Sequence, residues 1–340
     1  ETAPVEELFS NPRHVYTKKL IAASPGPNST LTDLAPTELS SPKIPISHYS
    51  PAKPITREVA GSKKILEVIN LTKEFPRKQS SVSCWPWRKA PRSDKVFRAV
   101  DDISFSLMRG TSLGLVGESG CGKSTTSSII ARLMNPTSGD VIFDGENISA
   151  YRAETFARRP ERKKIQMVFQ DPTDSLNPSH TAHDSIAEPL KRLLKMRDRE
   201  LIREKVEALA DRVGLPANLL SRFPHQLSGG QKARVGIARA IAVDPKLLIL
   251  DEPTSALDVS VQAVVLQLLD RLKNELGMSY IFVSHDLNVV RLLCENVVVM
   301  NRGKIVEQGG ADEILRRPTE PYTKALIAAI PHFEPQKAVH

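Results

Sequence analysis

The sequence of 340 residues is short of cysteine, aromatic residues and long apolar runs. Its three cysteines, Cys84, Cys121 and Cys294, are odd in number and far apart, so they offer neither a disulfide framework nor the paired spacing of a zinc site. The longest apolar stretches, such as Leu247–Leu250, are strand-sized, whereas a bilayer span needs roughly 18 consecutive apolar residues. The opening Glu1-Thr-Ala-Pro-Val-Glu-Glu7 is acidic, unlike the basic-then-apolar pattern of a secretory signal. Secreted, membrane-spanning and zinc-ribbon classes are not expected. The apolar share of 40% can fill the core of one large domain or two small ones.

The net charge of +8 is local. Between Lys73 and Arg98, eight basic residues stand against Glu74 and Asp94 and supply +6 of it. The remainder is close to neutral, so the basic balance is weak support for nucleic-acid binding, and no nucleic-acid partner is expected.

A repeat at long offset organises the chain. Glu1–Pro25 and Glu307–Pro331 share 11 identical residues of 25 without a gap, among them Glu1, Pro12, Tyr16, Thr17, Lys18, Leu20 and Ile21. The second copy ends a domain. The first is therefore expected to end another domain upstream, an expectation the missing initiator Met also suits. Residues 26–64 follow, with six prolines among Ser and Thr, and read as an extended linker. The expected division is a preceding domain's tail at 1–25, the linker at 26–64, a domain at 65–306 with a basic insert at 76–96, and a tail at 307–340.

From Ile65 onward strand and helix patterns alternate, which argues an α/β fold with a mainly parallel sheet. Strands are expected at Ile65–Ile69, Val100–Leu107, Ser112–Val116, Asp140–Phe143, Ile165–Phe169, Leu247–Leu250, Ser279–Val283 and Asn296–Met300. Helices are expected at Lys123–Met134 and Asp258–Leu276, the latter with Val261, Val265, Leu268, Leu272 and Leu276 on one stripe. Pro189 interrupts the pattern between Ala182 and Val213, so two or more helices are expected there.

Gly117-Glu118-Ser119-Gly120-Cys121-Gly122-Lys123-Ser124 fits G-x-x-x-x-G-K-[ST] between a strand and a helix. Its glycines let successive backbone N–H groups curl round phosphate oxygens, and the following helix adds its positive end. Lys123 is placed for the β- and γ-phosphates and Ser124 for Mg²⁺, with Thr125 next on the helix. A second strand, Leu247-Leu-Ile-Leu250, ends in Asp251 and Glu252. Asp251 suits the Mg²⁺ shell, and Glu252 suits the attacking water.

With these residues in place, the sequence resembles the ABC-type ATPases over roughly 65–331. Leu227-Ser228-Gly229-Gly230-Gln231 resembles the family's signature motif, and Asp251-Glu-Pro-Thr-Ser-Ala-Leu-Asp258 its Walker B aspartate, catalytic glutamate and D-loop. Gln170 resembles the Q-loop glutamine, reaching Mg²⁺ and the water, and His285 the switch histidine. The resemblance implies a P-loop NTPase (RecA-like) core with an antiparallel β subdomain and an α-helical subdomain, and ATP and Mg²⁺ as cofactors. It implies that Ser228, Gly229, Gly230, Gln231 and Asp258 act on ATP held by an opposing domain, and that Phe75 stacks on adenine. Phe97 or a tryptophan of the insert remains an alternative for that stacking, as do a solvated insert or one that touches anionic lipid.

A narrower resemblance is to the peptide/nickel-type importers. It rests on Asp171-Pro-Thr-Asp-Ser-Leu-Asn-Pro178, Ile186-Ala-Glu-Pro-Leu190 and the tail Arg317-Pro-Thr-Glu-Pro-Tyr-Thr-Lys-Ala-Leu326, repeated upstream at 11–20. It implies a subunit that powers bacterial import of oligopeptides or dipeptides from the cytoplasmic face of the membrane. The implied partners are a fused upstream nucleotide-binding domain, two transmembrane permease subunits and an extracytoplasmic peptide-binding protein. The group of several nearby cysteines that holds the iron–sulfur cluster of some members is found neither just after Pro25 nor after Pro331. The alternative is a soluble tandem ABC ATPase acting on ribosomes or nucleic acid. A coiled-coil ABC protein is excluded, because only about 20 residues separate Gln231 from Asp251.

Overall fold

Apolar runs and turn residues fix the elements of this chain, whose computed structural model describes residues 1–26, 29–32, 34, 63–76 and 96–329. In chain order the strands are β1 (Lys64–Pro76), β2 (Val96–Met108), β3 (Ser112–Val116), β4 (Ser138–Phe143) and β5 (Glu146–Asn147). Then follow β6 (Ile165–Val168), β7 (Leu247–Asp251), β8 (Ser279–Ser284), β9 (Asn296–Asn301) and β10 (Lys304–Gly310). Strands β3, β6, β7 and β8 are buried along their whole length, as in a sheet covered on both faces. With β9 they lie parallel in the order β9-β3-β8-β7-β6, and β10 joins β9 antiparallel at the edge. A second, antiparallel sheet has the order β2-β1-β4-β5.

The helices are α1 (Val5–Ser10), α2 (Val15–Ala23), α3 (Lys123–Ile130), α4 (Ala153–Phe156), α5 (Pro172–Ser175) and α6 (Ala182–Arg192). They continue with α7 (Arg199–Arg212), α8 (Gly229–Ile241), α9 (Val259–Leu276), α10 (Leu287–Leu293), α11 (Ala311–Arg316) and α12 (Pro321–Ala328). Two cores result. Ile65, Leu66, Val100 and Leu107 of the antiparallel sheet pack with Leu115, Ile281 and Met300 of the parallel one. On the other face Leu248, Tyr280 and Phe282 pack with residues of α6, α8, α9 and α10. The fold is the P-loop ATPase core with an antiparallel β subdomain and an α-helical subdomain, as expected.

The expected elements form, with three differences. The helix after the Gly-rich loop stops at Ile130, because Arg132 turns left-handed (φ +54°) and Pro136 follows. Two helices form between Ala182 and Val213 as expected, but Pro189 lies inside α6 and the break comes only after Arg192. Pro189 is buried in the helical core, so packing offsets the lost N–H. Strands β1 and β2 run longer than periodicity suggests and pair Phe75 with Phe97.

The repeat is structural as well as sequential. Helices α1 and α2 start at positions that map on α11 and α12 through the same offset of 306. In each copy one carboxylate clamps the entry to the second helix: Glu1 accepts the N–H groups of Arg13 (2.8 Å) and His14 (3.0 Å), and Glu307 those of Thr319 (2.8 Å) and Glu320 (3.4 Å). These donors, the Arg13 N–H first, draw the Glu1 carboxyl down to about 2. The first copy rests on the domain through buried Ala23, and the start of the linker through buried Leu34, with Arg291 donating to the carbonyls of Gly26 and Ser29. Most of the linker and all of the basic insert but its two ends, with Cys84 and both tryptophans, lie outside the described residues.

Candidate nucleotide site

Four neighbouring strands of the parallel sheet, β3, β8, β7 and β6, end at one edge, where an open α/β sheet places its ligands. β3 runs into the Gly-rich loop and α3, β7 ends in Asp251 before Glu252, β8 leads to His285, and β6 leads to Gln170. The Gly-rich loop, Glu252, His285 and Gln170, distant in sequence, face one cleft of about 770 Å³, and Asp251 joins them through Ser124.

The loop's path requires glycine at two points. Gly117 has φ +147°, and a Cβ there would lie 2.2 Å from the Met300 carbonyl oxygen. Gly122 caps α3 at φ +108°, and a Cβ there would meet the Ala99 carbonyl oxygen at 2.3 Å. The loop is thus wedged between β2 and β9. Gly117, Glu118, Ser119, Gly120, Gly122, Lys123, Ser124 and Thr125 line the cleft. Cys121 does not: its thiol is buried behind the loop, and burial raises its pKa. Buried Lys123 donates to the carbonyls of Gly117 (2.7 Å) and Glu118 (2.9 Å), so the ammonium sits inside the loop.

Beside it, Ser124 Oγ lies 3.3 Å from Asp251 Oδ1 and Ser127 Oγ 3.5 Å from Oδ2. Burial pushes the Asp251 carboxyl above its ordinary value, and the Glu252 charge adds to this against the two hydroxyls. A buried, poorly compensated carboxylate beside a serine hydroxyl fits a hard cation. Ser124, Asp251 and Gln170 offer only oxygen ligands, and among the described residues no three His, Cys, Asp or Glu side chains gather as a metal cage. That sparse donor set suits Mg²⁺, which takes one or two protein ligands together with substrate phosphates and water.

Glu252 is held in left-handed backbone at φ +44°, a strained conformation for a glutamate, while its N–H donates to Val283 O (3.0 Å). Gln170 Nε2 donates to Glu252 Oε2 (3.2 Å), and His285 Nδ1 lies 3.2 Å from the same oxygen. Gln170 and His285, which the sequence places on separate loops, thus meet at one oxygen of Glu252. At the far wall stand Phe75 and, across the hairpin, Phe97, which is 52% exposed.

Ser228, Gly229, Gly230, Gln231 and Asp258 do not line this cleft. Ser228 caps α8 in a reciprocal box with Gln231, its Oγ accepting the Gln231 N–H (3.3 Å) and its own N–H donating to Gln231 Oε1 (2.9 Å). Ser228 and Gly229 are exposed, so the positive end of α8 faces outward. Gly230 packs where a Cβ would lie 2.4 Å from Val261 Cγ1, and Asp258 stands just before α9 without a side-chain capping bond. Sequence reasoning missed Ser127, Tyr322 and Leu326. Ser127 stands three residues after Ser124, a spacing that puts both hydroxyls on one helix face. Tyr322 and Leu326 carry no such signal.

A family model described as "ABC transporter" matches residues 100–255, and one described as "Oligopeptide/dipeptide transporter, C-terminal region" matches residues 1–46 and 306–340. The oligopeptide transport ATP-binding protein AppF of Bacillus subtilis is 45% identical over 274 residues, which cover 80% of each chain. The glutathione import ATP-binding protein GsiA of Pectobacterium atrosepticum is 38% identical over 342 residues, covering 99% of this chain and 52% of GsiA. Among solved structures, the dimeric post-hydrolysis state of the ATP-binding cassette MJ0796 bound to ADP and Pi aligns with a TM-score of 0.63 and 28% identity, covering 72% of this chain and 98% of that one. The chain belongs to the ATP-binding proteins of ABC transporters, in the oligopeptide/dipeptide family.

Proposed function

We propose that this protein hydrolyses ATP to drive import of oligopeptides or dipeptides through membrane permease subunits. The observation that carries this is the convergence of Lys123, Asp251, Glu252, Gln170 and His285 at the ends of four adjacent strands. Lys123 and the loop N–H groups hold the β- and γ-phosphates, and the N-terminus of α3 adds its partial charge. Ser124, Asp251 and Gln170 would hold Mg²⁺, which when bound neutralises charge that develops on the phosphates. Glu252 orients and deprotonates the attacking water, while Gln170 and His285 fix its carboxylate. Phe75 supports the adenine, with Phe97 on the same wall.

The outward-facing Ser228–Gly230 turn and Asp258 act on ATP held by a second domain, so each nucleotide is closed between two cassettes. That second domain lies upstream in the same polypeptide. Two features support this reading: the C-terminal-region match occurs twice, and the chain aligns with about half of GsiA. The tail at 1–25, the linker at 26–64, the domain at 65–306 and the tail at 307–340 follow from it. Among the described residues no helix is long and apolar enough to cross a membrane, and the protein works from the cytoplasmic face, bound to two permease subunits that receive peptide from an extracytoplasmic binding protein. Co-expression with those subunits and reconstitution in liposomes tests this. Peptide uptake that consumes ATP and needs the binding protein is expected. Failure to co-purify with permeases, with turnover stimulated by ribosomes instead, would overturn it.

A further inference from the structure

The C-terminal tail does more than end the chain. α12 folds back over the cleft, where Leu326 is part of the lining and the Tyr322 hydroxyl accepts the Glu118 N–H at 3.2 Å. Glu118 is the second residue of the phosphate loop, and 204 residues separate it from Tyr322. The tail is built to deliver this contact. Glu307, on the edge strand β10, receives Thr319 through both its N–H (2.8 Å) and its hydroxyl (2.7 Å), which sets where α12 starts. Thr323 is fully buried one residue beyond Tyr322. The Tyr322 ring is partly buried, and burial raises its pKa, so the hydroxyl stays protonated.

We propose that Tyr322 is a positioning residue of the nucleotide site: by accepting the Glu118 N–H it holds the mouth of the phosphate loop in the shape that receives nucleotide. This rests on the reading of the cleft as the ATP site. The first tail copy provides an internal control. Its counterpart Tyr16 sits on an equivalent helix whose entry Glu1 clamps, but it is 62% exposed, and among the described residues no hydrogen bond joins it to the Gly-rich loop. The hydroxyl alone is therefore expected to matter at 322 and not at 16.

Removing one neutral hydrogen bond to a loop N–H weakens nucleotide binding about three- to tenfold. In the full chain, Tyr322→Phe keeps the ring and its packing. It is expected to raise the Kd for Mg-ATP and the KM by that factor, with kcat at saturating ATP within about twofold of wild type, while Tyr16→Phe changes neither. Hydrogen exchange is expected to quicken in 117–122 but not in α12, which separates loop positioning from undocking of the tail. Unchanged affinity in Tyr322→Phe, tighter binding, a fall in kcat at constant KM, or faster exchange throughout α12 would each overturn the proposal. If the wild-type chain itself binds no nucleotide, the reading of the cleft fails instead.

Discussion

Glu252→Gln isolates the chemical step. The amide keeps the side chain's volume and one acceptor oxygen, and the left-handed backbone at 252 is unaffected. It loses the negative charge that Gln170 and His285 each approach at 3.2 Å, and with it the group able to take a proton from water. Removing a positioned general base lowers turnover by about 10²–10⁴-fold, or roughly 3–5 kcal/mol of barrier. Binding should survive, because the bonds from Lys123 run to Gly117 and Glu118 and not to Glu252. Phosphate release at saturating Mg-ATP measures the first quantity, and titration with a fluorescent ATP analogue measures the second. Turnover within tenfold of wild type would refute the assignment. Equal loss of binding and turnover would mean that Glu252 shapes the cleft.

Three other outcomes follow from particular contacts. Phe75→Ala should weaken ATP binding about tenfold, within the range of a stacked base on an aromatic ring, when measured by the same titration. Unchanged affinity would transfer the stacking to Phe97. Gly122→Ala should abolish binding, because the new methyl group would overlap the Ala99 carbonyl at a left-handed position, and calorimetry with ADP would detect it. At the opposite end of the sheet, buried Lys273 donates to Glu295 (2.6 Å) and Ser112 (2.9 Å). Burial raises the Glu295 carboxyl, but Lys273 and Ser112 outweigh this and leave it below its ordinary value. A depressed carboxyl contributes stability above its unfolded pKa of about 4.3 and loses it as pH falls through the folded value. Lys273→Met should therefore lower the melting temperature at pH 7, and the difference should shrink below about pH 4.

How far the sequence could be read depended on the distance over which each feature is specified. The phosphate loop and the Asp251-Glu252 pair are contiguous and chemically strict, so residue type and spacing located them. Gln170 and His285 are lone residues on separate loops. Only resemblance singled them out, because their approach to Glu252 arises from the strand order β3-β8-β7-β6. Phe97 depends on the register of a hairpin whose turn is not readable as a short loop. Tyr322 reaches the Gly-rich loop only because the chain turns back after edge strand β10 and brings α12 over it, an arrangement that no local pattern encodes. Between Ala182 and Val213 two helices form as expected, but Pro189 itself sits inside the first, because burial in the core offsets the missing donor, and the break falls after Arg192.

The account stands on Lys123 and its loop gripping a nucleotide triphosphate. Equilibrium binding of fluorescent Mg-ATP to the purified chain and to Lys123→Ala tests this most directly. One saturable site per chain, weakened at least tenfold by the substitution while the melting curve is preserved, is the predicted result. Equal affinity in the two proteins would contradict it.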